Sequence, residues 1–413
     1  MFIQSKFRLL DTKDKVILIF FLPFLLWSFL GGHKQHLFGV STDHMATAVA
    51  LIGSTIVFLS VSRVPKRFLL ISSFLLTLMS FFLLSVFLSD DVYESLNIFY
   101  KHLGYLYITL ALALFFKDRL DIFFNIIILF SLLSSIIILL SFIYLGLGSW
   151  LRVTIPIYEN GQFLYFPRGY ESSSDPNVLS YFLFLGGLVT FHLKGLHGYW
   201  ALVFALIIFA GLLTMSRSGF LGFAIAINAY LIIKFNNMVF NHKVSKTKSF
   251  KALLFVFFVP VVVFSILLFQ DVNSVLEILE SRIYSEGSNE SRIYRLSYSY
   301  QFFLNNNLWS LLFGNGIGFT RVDLDPHFFW FSVLLDTGAL SLFLMLFIYI
   351  YLFFKSYLNV NSGELKGLLV SVFFLFFIAS FLYWQLRFFY FVMLIFILLY
   401  LSQNMSCVRD ENG

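Results

Sequence analysis

Apolar stretches of roughly 17–25 residues, separated by short polar segments, recur along the whole chain. Each stretch is long enough to cross a bilayer as one helix, and alternating apolar and polar strand patterns are not evident between them. The pattern predicts about twelve membrane-spanning helices. They lie near residues 15–31, 45–62, 68–89, 93–116, 120–147, 176–193, 198–215, 217–235, 252–270, 328–354, 366–383 and 386–402.

The composition indicates the same class of protein. Hydrophobic residues make up 59% of the chain and charged residues 12%, and the mean hydropathy is +0.87. A water-soluble domain carries about twice that share of charged residues. The first apolar run lacks a small-residue cleavage site, so we interpret it as a span rather than a signal peptide. We therefore predict an all-α integral membrane protein with one polytopic domain over residues 1–413.

Basic residues divide the predicted connections into two sets. With the N-terminus in the cytoplasm, most of the 28 Lys and Arg residues fall in cytoplasmic segments, as the positive-inside rule requires. Topology therefore explains most of the net charge of +6, and we predict no nucleic-acid partner. Both termini are then cytoplasmic. Two long loops face the periplasm, over residues 148–175 and 271–327, and the second contains an amphipathic helix.

Several cations fall on the outer side, where the positive-inside rule does not explain them. Arg217, in LLTMSRSGFLGFAI, lies between the seventh and eighth predicted spans, and Ser216 suits the cap of the following helix. An arginine at a helix N-terminus is unfavourable alone and favourable if an anion binds there. The alternative is an arginine that reaches the lipid headgroups.

The amphipathic segment GSNESRIYRLSYSYQFFLNNN carries two further cations. Arg292 and Arg295 are three residues apart and share one helix face. Two adjacent positive charges suit an anion with several oxygens, and anionic lipid headgroups are the alternative partner. Lys101 lies about two turns inside the fourth span, where a cation is costly unless it faces a polar cavity.

Two more segments carry candidate residues. His327 opens the tenth span, and a neutral imidazole there can accept a proton from a hydroxyl. The glycines of LLFGNGIGFT lack a strand–turn–helix context, so we interpret them as a tight turn and not as a nucleotide loop. In PRGYESSSDPNVLSYF, Arg168, Glu171 and Asn177 are candidates for substrate binding. We predict no metal site, because Asp323 and Asp325 beside His327 are weak evidence for one, and no cofactor.

Four segments of the sequence together resemble segments of the O-antigen polymerase and O-antigen ligase superfamily of bacterial inner membranes. They are GYESSSDPN before a span, SRSG at a span junction, an arginine upstream of GNGIG, and the histidine that opens HFFWFSVLLDTGALSLF. The resemblance implies a GT-C-like polytopic architecture. It also implies a metal-independent glycosyltransferase that uses undecaprenyl-pyrophosphate-linked glycans at the periplasmic face of a Gram-negative inner membrane.

The resemblance also assigns roles to residues. Arg217 and a loop arginine, for which we choose Arg292 over Arg295 and Arg282, would hold the pyrophosphate. His327 would be the general base, and Lys101 would support the anion site. Members of the superfamily commonly have Asn after this histidine, whereas Phe follows it here.

Three functions follow as alternatives. The DPN, SRSG and GNGIG pieces favour a polymerase, which transfers a growing glycan to the non-reducing end of a lipid-linked repeat unit and usually works with a chain-length regulator protein. A ligase would transfer the finished glycan to lipid A core. A flippase needs charges deep in its spans and usually internal repeats. The sequence shows no repeat between its halves, and Arg387 is the one further candidate for a transport pathway.

Overall fold

The structure is a computed structural model, and it describes residues 10–29, 36–37, 40–143, 154–159, 162–167, 176–214, 216–240, 286–322, 328–382 and 386–402. Long helices dominate it, and two antiparallel hairpins lie between them. In chain order the described elements are α1 (Thr12–Phe29), β1 (His36–Leu37), β2 (Val40–Ser41), α2 (Thr42–Ser60), α3 (Lys66–Phe87), α4 (Val92–Phe116), α5 (Leu120–Ile143), β3 (Thr154–Glu159), β4 (Gln162–Pro167), α6 (Pro176–Lys194), α7 (Tyr199–Leu213), α8 (Arg217–Phe240), α9 (Glu286–Asn305), α10 (Leu308–Phe313), α11 (Phe319–Val322), α12 (Phe329–Asn359), α13 (Gly363–Leu382) and α14 (Leu386–Leu401).

The helices follow the apolar runs of the sequence. Every predicted span coincides with a described helix to within a few residues, except the span near 252–270, which lies outside the described residues. Among the described helices, six are long and apolar enough to cross a membrane, and four shorter ones are also apolar. The chain is therefore a multi-pass α-helical membrane protein.

One feature of the first predicted long loop was not expected. The strands β3 and β4 form a hairpin there, in register from Thr154 opposite Pro167 to Glu159 opposite Gln162. The two residues between the strands are Asn and Gly in the sequence, the pair that most favours a two-residue hairpin connection. The adjacent β-branched and aromatic residues also favour strands. The local signal was therefore present, and the prediction of a plain loop omitted it.

Helix α14 lies at the centre of the bundle. All its side chains from Phe388 to Leu401 are buried, which suits a helix that is apolar on every face. Its Phe391 ring lies 5.6 Å from Phe29 of α1 and 5.3 Å from Phe182 of α6. Two helices from the first half of the chain, α1 and α6, therefore pack against the last helix.

One end of the bundle, which we call the basic end, collects the starts and ends of helices far apart in sequence. Arg67, at the start of α3, donates to the Asn359 side chain at the end of α12 (2.8 Å) and to the Tyr400 carbonyl at the end of α14 (3.3 Å). Arg119, just before α5, pairs with Asp14 at the start of α1. The described Lys and Arg residues at this end are Lys13, Lys15, Arg63, Lys66, Arg67, Lys117, Arg119, Lys194, Lys234, Lys355 and Lys366.

The opposite end, where α6, α8, α12 and α14 begin, is called the site end. The indole nitrogen of Trp330, in the first turn of α12, donates to the hydroxyl of Ser380 in the last turn of α13 (2.7 Å). Helix α13 lies against α8, where Gly222 leaves room for Leu375 of α13. Glycines at such contacts let two membrane helices approach closely. The starts of α8 and α12 are thus both tied to the end of α13.

Candidate functional site

The start of α8 is capped by Ser216. Its hydroxyl accepts a hydrogen bond from the Gly219 backbone N–H (3.0 Å), and its carbonyl accepts one from the Phe220 N–H (3.0 Å). This is the N-cap arrangement that satisfies backbone donors in the first helical turn. The helix begins at Arg217, so the predicted cap and the predicted helix start are both confirmed.

The same serine joins α8 to α6. The Ser216 hydroxyl donates to the Asn177 side-chain oxygen (2.8 Å), and Asn177 lies in the first turn of α6. Arg217 directly follows Ser216 in the chain, and Ser216 bonds to Asn177. These two predicted site residues therefore lie at the same contact between α6 and α8. The side chain of Asn177, a predicted substrate-binding residue, also takes part in the contact between the two helices.

Small residues permit this contact. A Cβ atom on Gly219 would lie 2.0 Å from the Ser180 hydroxyl oxygen and 2.7 Å from its Cβ, so the position admits no side chain without displacement. The Ser180 hydroxyl in turn donates to the Asn177 carbonyl (2.6 Å). The glycine of the SRSG motif thus allows the first turns of α6 and α8 to pack closely.

Helix α14 begins beside this junction. The Tyr181 ring of α6 stacks on Phe388 of α14 at 5.5 Å between centroids, with an interplanar angle of 26°. Arg387 directly precedes Phe388, and Asn177 is about one helical turn before Tyr181 toward the site end. The backbone of Arg387 therefore lies at the site end near the start of α6.

Helix α12 completes the group. The rings of Phe329 and Phe389 lie 5.8 Å apart near the starts of α12 and α14, and Asn359 at the end of α12 bonds to the Leu399 carbonyl at the end of α14, so the two helices run in the same direction. Arg387 precedes this contact on α14 by two residues. His327 lies outside the described residues, and in the sequence it directly precedes Phe328, the N-cap residue of α12. The start of α14 is thus in contact with the helix that follows His327 and with the helix that carries Asn177.

Four helix starts and two arginines bring positive charge to one part of the site end, whereas Asp90, Asp91 and Glu94 lie at the same end at the start of α4. Antiparallel packing places about half of all helix starts at each end of any bundle, but here the starts of α6, α8, α12 and α14 are neighbours. Each helix N-terminus carries a partial positive charge on its free N–H groups. Arg217 and Arg387 lie in the first turns of two of them. Helix N-termini with nearby arginines are a common phosphate-binding arrangement.

Lys101 lies deeper in the bundle than this group. It is partly exposed on α4, and the following residue, His102, is buried, with its Nδ1 atom 3.3 Å from the Tyr390 hydroxyl of α14. Tyr390 is one turn further from the site end than Arg387. Lys101 is therefore carried by a helix that contacts α14 about one turn below the proposed anion site.

A helix, α9, covers most of the segment that was predicted to be amphipathic, and it carries Arg292 and Arg295, whereas Arg282 lies outside the described residues. Arg295 is exposed, and Arg292 lies one turn earlier in the same helix. The last turn of α9 packs at the site end, where the Phe302 ring lies 5.0 Å from Phe319 and the Phe303 ring lies 6.0 Å from Phe331 of α12.

The remaining predicted residues are not brought into this group by the described chain. Arg168, Glu171 and His327 lie outside the described residues, as do Asp323 and Asp325. Among the side chains that the structure does describe, no three His, Cys, Asp or Glu residues lie close enough together to hold a metal ion.

Sequence reasoning missed two residues. Arg387 was considered only for a transport pathway, although it is the one charged residue in the apolar stretch before the tail. Asp336 was not considered, and it is fully buried on α12. A buried carboxylate within an apolar run is a usable signal, because such a charge is costly unless it has partners.

Comparison with known proteins does not assign the chain to a family: it matches no protein-family model and no curated protein sequence.

Proposed function

We propose that this protein is an O-antigen or related surface polysaccharide polymerase. It transfers a growing glycan from undecaprenyl pyrophosphate to the non-reducing end of a lipid-linked repeat unit. The observation that carries the proposal is the Ser216 junction, which holds Arg217 and Asn177 at the start of two helices beside the starts of α12 and α14. The resemblance of SRSG, GYESSSDPN and GNGIG to the polymerase and ligase superfamily supports it.

The proposed chemistry needs an anion site and a base. The bond between the donor sugar and its phosphate oxygen breaks, and undecaprenyl pyrophosphate leaves with the electron pair. Arg217, Arg292, Arg387 and the helix N-termini stabilise the negative charge that develops on that oxygen. His327 takes the proton of the acceptor hydroxyl as the new glycosidic bond forms. Lys101 and Arg295 add positive charge, and Arg168, Glu171 and Asn177 contact the glycan or the pyrophosphate.

The distribution of charges supports the orientation that we propose. The basic end carries many of the described Lys and Arg residues, and cytoplasmic segments of membrane proteins are enriched in these residues. The proposal therefore places the basic end in the cytoplasm and the site end in the periplasm of a Gram-negative inner membrane. The lipid-linked repeat units are expected at the same face.

The number of spans is also part of the proposal. Helix α8 runs toward the basic end, where Lys234 lies 4.0 Å from Glu364 at the start of α13. Helix α10 lies at the site end, because Gly314, directly after it, packs against the Asp336 carbonyl. The chain between these points has to return across the apolar layer. The predicted span near 252–270 supplies that crossing and gives about twelve spans in total.

The gel ladder of surface polysaccharide from cells that lack the gene tests the function. If the protein is a polymerase, cells that lack it should carry a single repeat unit on lipid A core. Bare core, with long chains on the carrier lipid, would instead identify a ligase. Bare core without any polymer would fit a flippase, and an unchanged ladder would exclude all three.

Complementation of that strain tests the site. Arg217→Ala, Arg292→Ala and His327→Ala should each abolish polymerisation while the protein still inserts and accumulates. Arg217→Lys should restore little, because a bidentate grip on phosphate needs the planar guanidinium group. Arg63→Ala, at the basic end, is the matched control and should restore the full ladder. Activity of all three alanine variants would show that the site is assigned wrongly.

A further inference from the structure

We propose that the basic end carries a binding site for an anionic phospholipid of the phosphatidylglycerol type. The site lies between the start of α3 and the end of α12, and we call it the headgroup cleft. Arg67 and Lys355 bind the lipid phosphate, and the apolar side chains beside them pack against the acyl chains. The inference does not depend on the reaction proposed above, because none of the residues assigned to the anion site takes part in it.

The guanidinium group of Arg67 is held in place by neutral partners. One terminal nitrogen donates to the Asn359 side-chain oxygen (2.8 Å) and to the Tyr400 carbonyl (3.3 Å). The group also lies over the Tyr400 ring, 5.3 Å from its centroid. These contacts fix the guanidinium group without neutralising it, and Arg67 is exposed. Arg67 therefore presents a fixed positive charge at the surface of the bundle.

A second cation lies beside this group on α12. Lys355 is one turn before Asn359 and is also exposed. Its ammonium group lies 5.7 Å from the centroid of the Tyr351 ring. Lys355 and Arg67 both lie near the hydroxyl group of Tyr400. The two cations therefore belong to one cluster, although they come from helices that are far apart in the sequence.

The described carboxylates at the basic end do not neutralise this cluster. The ion pairs that these carboxylates form are with other cations, namely Asp14 with Arg119, Asp118 with Lys117, and Glu364 with Lys234. Within the described part of the chain, Arg67 and Lys355 therefore have no acidic partner. Lys66, which is exposed directly before Arg67, adds a third positive charge. Such a group of charges attracts an anion from the membrane surface.

The cleft continues from the cations into the apolar part of the bundle. Leu70 and Phe74 follow Arg67 by three and seven residues, so they share its face of α3. The Phe74 ring lies 5.7 Å from the rings of both Phe347 and Tyr351 on α12. Leu70 is 42% exposed and Phe347 is 46% exposed. The two helices therefore form an apolar wall that is partly open and begins beside the cations.

The combination of charge and apolar wall favours a phospholipid over a free anion. The cations bind a phosphate at the point where the apolar run of α3 begins. The exposed apolar wall binds hydrocarbon in preference to water, and a free phosphate has no group that can use it. A phospholipid uses both parts at once, and basic residues between membrane helices are a known way of binding anionic headgroups.

Native mass spectrometry of the purified protein measures this binding. The protein is released from micelles that contain equal amounts of phosphatidylglycerol and phosphatidylcholine, and the bound lipids are counted. The parent should retain phosphatidylglycerol in preference to phosphatidylcholine. Arg67→Ala and Lys355→Ala should each weaken this retention by about fivefold, the effect of one basic residue near an anionic lipid. Lys15→Ala, which removes an exposed lysine of α1 at the same end, is the matched control and should behave as the parent does.

Two further measurements distinguish a lipid from a soluble anion. Leu70→Gln keeps every charge of the cleft and makes its wall polar, so it should also weaken the retention of phosphatidylglycerol. Glycerol phosphate carries the same phosphate without acyl chains, and an excess of it should displace little of the bound lipid. Full displacement by glycerol phosphate, with no effect of Leu70→Gln, would identify a site for a soluble anion and overturn the inference.

The remaining outcomes are also decisive. Equal retention of the two lipids by the parent, or unchanged retention in Lys355→Ala, would overturn the inference. Lys355→Ala decides the question alone if Arg67→Ala, which loses two hydrogen bonds, does not accumulate. Asp410 and Glu411 follow α14 in the sequence and lie outside the described residues. Neutralising both, by Asp410→Asn with Glu411→Gln, should leave the retention unchanged. An increase would show that these carboxylates occupy the cleft in the native chain, against the inference.

Discussion

Removal of the Ser216 hydroxyl should destabilise the protein more than removal of any ordinary buried hydroxyl. In Ser216→Ala the hydrogen bond from the Gly219 N–H to Ser216 and the hydrogen bond from Ser216 to the Asn177 side chain are both lost. Loss of a serine N-cap costs about 1 kcal/mol, and loss of a second neutral hydrogen bond costs about 0.5–1.5 kcal/mol. The expected total is about 2 kcal/mol, which changes the folding equilibrium constant by about 30-fold.

The assay is reversible unfolding from mild detergent micelles by titration with sodium dodecyl sulfate, followed by tryptophan fluorescence. Ser371→Ala is the matched control. That hydroxyl is also buried, but it bonds only to the Gly367 carbonyl of its own helix α13 (2.8 Å). Such intrahelical bonds add little to helix stability. We therefore expect a loss below about 0.5 kcal/mol in the control.

A double-mutant cycle separates the contact between helices from the cap. Asn177→Ala removes the acceptor without touching the Gly219 bond, and the double variant removes both partners. The losses of unfolding free energy in the two single variants are added and compared with the loss in the double variant. Their sum should be larger by about 0.5–1.5 kcal/mol, the free energy of one hydrogen bond. A coupling free energy near zero would refute the conclusion that Ser216 joins α6 to α8. The same variants should also shorten the polysaccharide ladder, since the junction carries Arg217.

Three further predictions follow from the same geometry. Arg387→Ala should reduce chain length on the gel at unchanged protein level, whereas Arg63→Ala at the basic end should not. Gly338→Ala should prevent accumulation of folded protein, measured by size-exclusion chromatography, because its φ of 81° disfavours a side chain and a Cβ would meet the Leu312 carbonyl. In a chain without its native cysteine, a membrane-impermeant thiol reagent added to intact spheroplasts should label Asp90→Cys and not Arg63→Cys, and the opposite result would invert the proposed orientation.

The sequence predicted the helices well, for a physical reason. A run of apolar residues of membrane thickness has few alternatives to a helix, because each backbone N–H and C=O in the bilayer needs a partner within the segment. The glycine turn was also predicted correctly. Gly314, Gly316 and Gly318 all have positive φ, as tight turns require.

The contacts between helices could not be predicted from the sequence. Nothing local to Asp336 indicates that its carboxylate binds Gly318 and Thr320, because these partners precede it by 18 and 16 residues in the chain. The role of Arg387 depends on which helices neighbour α14, and a uniformly apolar helix gives no such information. The kink at Gly338 was equally hidden, since a single glycine in an apolar run is common in membrane helices.

The packing at the site end also bears on why an apolar chain keeps Arg217. The Ser216 hydroxyl and the absence of a side chain on Gly219 hold the first turns of α6 and α8 together, so two partial positive charges approach each other. A guanidinium group in the first turn of α8 adds a full positive charge to that place. This arrangement raises the free energy of the empty site, and an anion with several oxygens lowers it again. Lipid headgroups alone would need only an arginine at the surface. Under the proposed function, the buried hydrogen bonds that align the two helix starts serve to bind the pyrophosphate of the lipid-linked donor.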